Sequence, residues 1–263
     1  MRRELMGHER IGFLPKTQQW NHIVSQLSLY DGDSDSVADI ANSTLECIKR
    51  SYGLMSQDES VIKAIRFLAT LSFSATKENQ IEFLNQNGYK VDQTLSLFSI
   101  LNSAKTFIET ENGSLETNKI AKDAILQTLS TYQQNNSHEQ LSLFSTTNNI
   151  WRNVGTGAAF CELARSFFSA FTDRHLKYYL DRSAATSISD YSKYQSFSDV
   201  VASQSEAISH HAFETSKIMQ SFAAGWYNNH ARETTPSDNE ISGFLSVAFG
   251  KMKEEFRREA DGE

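Results

Sequence analysis

Two glutamates and two histidines in the C-terminal half have the spacing that metal ligands or acid–base groups need. Glu206, His210 and Glu214 are four residues apart, so on a helix their side chains share one face. His211 and Glu214 form a further pair at three-residue spacing. Imidazole and carboxylate groups in such positions bind transition metals or transfer protons. One hypothesis is therefore a metal-dependent helical-bundle enzyme centred on these four residues.

Ordinary pairing along a helix surface is the alternative for these residues, and the one we expect. A di-iron bundle needs a second Glu-x-x-His pair, and the neighbouring helix predicted over 158–182 contains none. Gly155-Thr156-Gly157 begins a phosphate-binding pattern, but Phe160 occupies the position of its third glycine. Since a Gly-x-Ser-x-Gly elbow is also missing, we predict no cofactor, no metal and no enzymatic activity.

Two other segments favour binding of a protein partner. The first is the N-terminal arm with Trp20, in which the candidate residues are His8, Glu9, Arg10, Leu14, Pro15 and Trp20. The second is an aromatic cluster beside small residues, where large rings anchor interfaces; its candidates are Phe213, Phe222, Trp226 and Tyr227. The alternatives are that the arm docks on its own domain and that the aromatic rings pack in the core.

Helical spacing of apolar residues predicts the elements that position these groups. In the N-terminal half, helices are expected over 17–29, 35–54, 58–74, 78–87, 92–110 and 116–133, with Asp58 and Asp92 near helix starts. In the C-terminal half, segments 158–182 and 193–230 predict a long amphipathic hairpin with its turn and cap at Ser187-Ile188-Ser189-Asp190. A last helix is expected over 238–259, after Pro236. The predicted fold is an all-α multi-helix bundle.

Composition agrees with a helical protein in a reducing cytoplasm. The chain has 263 residues with only 12 Gly and 2 Pro, which disfavours a sandwich or a barrel. A net charge of −7 disfavours general nucleic-acid binding. Cys47 and Cys161 match no zinc or disulfide spacing. The predicted organisation is an N-terminal arm at 1–16, a helical region at 17–135, a polar Gln/Asn/Ser/Thr-rich linker at 136–150 and a helical hairpin region at 151–263.

Two sequence blocks carry a resemblance to a known family. The stretch MGHERIGFLPKTQQW from Met6 to Trp20 and the stretch FCELARSFFSAFTDRHLKYYL from Phe160 to Leu180 together resemble a family of uncharacterised bacterial proteins. The resemblance implies a bacterial accessory protein within a multigene system, such as those used in anti-phage defence. It implies no activity and no functional residue.

These observations give three functional hypotheses. The leading one is a non-enzymatic sensor, adaptor or regulator that meets a protein partner, or another copy of itself, through helix faces. The second is a membrane-surface or membrane-perturbing effector that uses the Phe-rich helices at 158–182 or 238–259, although their mixed charges disfavour it. The third is the metal-dependent enzyme described above.

Overall fold

The computed structural model describes residues 18–31, 54–110, 115–136, 150–202 and 217–260, together with positions 40, 43, 44 and 47. Its regular secondary structure is helical, and no strand occurs in these ranges. The prediction of an all-α bundle is therefore confirmed.

The helices follow one another with short connections. They are α1 (Gln18–Ser28), α2 (Glu59–Ser74), α3 (Gln80–Gln86), α4 (Leu97–Ile108), α5 (Leu115–Asn136), α6 (Gly157–Ser187), α7 (residues 191–202), α8 (Lys217–His230) and α9 (Asp238–Ala260), with a 3₁₀ turn at Ile150–Arg152. Six predicted segments agree with α1, α2, α3, α5, α6 and α9 within a few residues. Most of the segment predicted over 35–54 lies outside the described residues.

The start predicted for the helix at 92–110 is wrong, because Asp92 closes a turn instead of capping the helix. Its Oδ1 accepts hydrogen bonds from the backbone N–H groups of Thr94, at 3.1 Å, and Ser96, at 2.9 Å. Ser96 is the true cap of α4, since its hydroxyl accepts from the N–H of Ser99 at 3.2 Å. The prediction for Asp58 is confirmed, since its side chain accepts from the N–H of Ser60 at the start of α2.

Helix α6 is the centre of the bundle, and α1, α2, α5 and α8 all pack against it. Phe160, Phe167, Phe168 and Phe171 are buried along it. Two charged residues expected on its polar side, Arg165 and Asp173, are buried as well. The sequence pattern distinguishes apolar from polar positions, but it does not reveal that neighbours cover the helix on several sides.

The predicted hairpin is present where the structure describes it. Phe160 at the start of α6 stacks on Tyr227 near the end of α8, with ring centroids 5.0 Å apart, so the two helices run antiparallel. Helix α6 ends at Ser187, and the Asp190 carboxylate accepts from the N–H of Lys193 at 3.0 Å. The predicted turn and cap at 187–190 are therefore confirmed.

Helix α9 closes the bundle against α2 and α8. Ser237 and Glu240 form a capping box: the Ser237 N–H donates to Glu240 Oε2 at 2.8 Å, and the Glu240 N–H donates to Ser237 Oγ at 3.3 Å. The Ser242 hydroxyl accepts from Gln57 Nε2 at 2.7 Å. Five apolar residues expected on the inner side of this helix are buried, namely Phe244, Leu245, Ala248, Phe249 and Met252.

One hydrophobic cluster joins both halves of the chain. Tyr132 in α5 and Trp151 before α6 contact each other with ring centroids 5.7 Å apart, and both belong to the cluster that also contains Phe160 and Phe244. Residues on either side of the predicted 136–150 linker therefore share a core. The domain boundaries themselves stay a prediction, because 137–149 lie outside the described residues.

Candidate functional site

Most of the residues predicted to bind a metal or a partner lie outside the described part of the chain. These are Glu206, His210, His211 and Glu214, the arm residues His8, Glu9, Arg10, Leu14 and Pro15, and Phe213. Within the ranges that the structure describes, no group of three His, Cys, Asp or Glu side chains is placed to hold a metal ion. The metal and arm hypotheses stay predictions.

The other predicted partner residues pack inside the protein. The ring of Trp226 lies between Phe244, with centroids 4.6 Å apart, and Phe160, at 5.6 Å. Tyr227 is fully buried, and burial raises the pKa of its hydroxyl to about 12. Phe222 is half-buried and stacks on Phe244 at 5.5 Å. This cluster therefore packs α6, α8 and α9 against one another. It agrees with the alternative that these aromatic rings belong to the core.

Trp20 is also part of the core, with only 2% of its surface exposed. Its indole meets the ring of Tyr179 on α6 at a centroid distance of 5.7 Å. In the Phe-rich helices invoked for a membrane role, the rings of Phe168 and Phe249 are likewise buried, with centroids 5.3 Å apart. In this fold, those aromatic rings are occupied by contacts within the chain.

The start of α6 contains the Gly-x-Gly pattern considered above for phosphate binding. Another helix packs against it. Thr156 caps α6 by accepting from the N–H of Ala159 at 3.1 Å. A Cβ atom on Gly157 would lie 3.1 Å from the Asn228 side chain and 3.3 Å from the carbonyl oxygen of Ala224. Gly157 therefore permits a close approach between α6 and α8.

An open surface groove on α3 is a candidate for binding. It has a volume of about 490 Å³ and is lined by Asn79, Ile81, Glu82, Asn85, Gln86 and Gln93. The amides of Asn79 and Asn85 already form hydrogen bonds within the chain through both nitrogen and oxygen. The Gln93 side chain and the Gln86 side-chain oxygen can bond to a polypeptide backbone, which has both N–H and C=O groups.

Helix α3 is fixed from its inner side. The buried Gln80 donates from Nε2 to the carbonyl oxygen of Trp151 at 2.9 Å and to the Ser74 hydroxyl at 3.1 Å. Phe83 packs edge-on against Phe73 with ring centroids 5.2 Å apart. These contacts hold the groove side of the helix at a defined orientation.

The connection from α3 to α4 is held by side-chain hydrogen bonds to its backbone. The Asn85 amide donates to the Val91 carbonyl oxygen at 3.4 Å, and its oxygen accepts from the Val91 N–H at 3.2 Å. The Ser96 hydroxyl and the other donors of the 92–96 turn hold the pKa of Asp92 well below its usual range. Leu95 is buried with φ 49°, a left-handed conformation that a non-glycine residue keeps only where its surroundings fix it.

This connection leads to an exposed aromatic ring. Phe98 lies in the first turn of α4, five positions after Gln93, and 74% of its surface is exposed. A large ring at this exposure is accessible to a partner and is a residue type that anchors interfaces. We call residues 79–98, which contain the groove and Phe98, the α3–α4 corner.

The sequence interpretation missed this corner. Its signal was the density of amides in the stretch ENQIEFLNQN from Glu78 to Asn87, but amides are equally common in solvated helix surfaces.

His175 on α6 has no role in this surface. Its ring is 3% exposed and stacks on Tyr179 with centroids 4.9 Å apart. Burial lowers the pKa of the imidazole to about 3, so the side chain is neutral at physiological pH. It is a core residue.

None of the helices in the described ranges combines the length and apolar character needed to cross a lipid bilayer. Comparison of the chain with protein-family models, with curated proteins and with solved structures found no match. The family resemblance of the two sequence blocks stays a prediction.

Proposed function

We propose that this protein is a non-enzymatic helical adaptor or regulator that binds a partner protein through the α3–α4 corner. The observation that carries the proposal is the exposed ring of Phe98 on a segment whose backbone is fixed by Asp92, Asn85 and the buried Leu95. A binding surface that is already ordered in the free protein avoids part of the entropic cost of association.

The groove supports the same proposal. The Gln93 side chain and the Gln86 side-chain oxygen offer hydrogen bonds to an extended backbone, and Phe98 offers an apolar anchor a few residues away in the chain. Anchors of this kind carry a large share of the affinity in protein interfaces. Within the bacterial multigene system suggested by the sequence resemblance, such a partner would be another protein of that system.

The experiment is affinity purification of the tagged protein from its native cells, with quantification of every co-eluting protein. Wild type is compared with Phe98→Ser and with Leu29→Ser as the matched control, since Leu29 is another large apolar residue and is 79% exposed directly after α1. Circular dichroism and thermal unfolding confirm that both variants are folded.

We expect a stoichiometric partner that Phe98→Ser loses at least tenfold and Leu29→Ser retains. A tenfold loss corresponds to about 1.4 kcal/mol of binding free energy, which is typical of an interface residue that matters. A partner retained by Phe98→Ser, or the lack of any stoichiometric partner, would overturn the proposal.

A further inference from the structure

We draw no further inference here: the strongest candidate, the exposed face of α4 that runs from Phe98 to Lys105, continues the surface already described, and nothing in the part of the chain that the structure describes shows what covers it.

Discussion

The indole of Trp20 meets the ring of Tyr179 edge-on, with ring centroids 5.7 Å apart and an interplanar angle of 77°. Trp20 ends one of the two sequence blocks that resemble a bacterial family, and Tyr179 lies at the end of the other. Tyr179 also stacks on His175 at 4.9 Å. The ends of the two blocks are therefore neighbours in space, and they contribute to the contact that docks α1 on the central helix.

Replacement of Trp20 by Ala should destabilise the protein by about 3 to 5 kcal/mol, the usual range for removal of a buried tryptophan. The indole is almost fully buried and leaves a cavity against Tyr179 when it is removed. The measurement is the free energy of unfolding from urea denaturation. Leu29→Ala, at an exposed position directly after the same helix, is the control and should change stability by less than about 0.5 kcal/mol.

A Trp20→Ala variant of wild-type stability would show that this residue is not part of the core in solution. The interpretation of Trp20 as a partner-binding residue would then return.

Gly157 is predicted to be a packing residue whose replacement by Ala destabilises the contact between α6 and α8. The added methyl group would meet the Ala224 carbonyl oxygen at 3.3 Å, and a backbone atom cannot move aside as the exposed Asn228 side chain can. We expect a loss of about 1 to 3 kcal/mol, as for other overpacked positions. Thermal or urea unfolding measures it.

Gly243→Ala in α9 is the matched control, because a Cβ at that helical position meets nothing within 4 Å. It should stabilise the protein by about 0.5 to 1 kcal/mol, since alanine loses less backbone entropy than glycine in a helix. Stabilisation by both substitutions would contradict the close approach at Gly157.

The helices were predictable from sequence because their signals are local. Asp58 caps α2 and Asp190 caps α7 through bonds to residues two or three positions away, and such bonds depend only on spacing. Asp92 shows the limit of that reasoning. Its carboxylate can cap a helix or close a turn. The turn goes with Leu95, which is buried in a left-handed conformation that no sequence pattern indicates.

The candidate site was less predictable because exposure is a tertiary property. Trp226 and Phe98 are both aromatic residues on helical faces, yet the first packs against Phe244 and the second faces solvent. Only the positions of α6 and α9 distinguish them.

Acid should destabilise the protein through His175 before its carboxylates are protonated. The pKa of the buried imidazole is lowered from 6.5 to about 3, so between these values the unfolded chain binds a proton that the folded protein does not. Stability then falls as the pH falls, by about 1.4 kcal/mol for each pH unit well inside this window. Between pH 7 and pH 5 the His175 contribution amounts to about 2 kcal/mol.

The measurement is urea denaturation of wild type and His175→Phe at pH 7 and pH 5. Phenylalanine preserves an aromatic ring between Phe171 and Tyr179, which lie at centroid distances of 5.8 and 4.9 Å from the imidazole, and it does not titrate. Other groups titrate equally in both proteins, so the difference between the two pH responses isolates His175. Equal losses of stability in the two proteins would show that the imidazole is exposed or paired in solution. That result would contradict the buried position of His175.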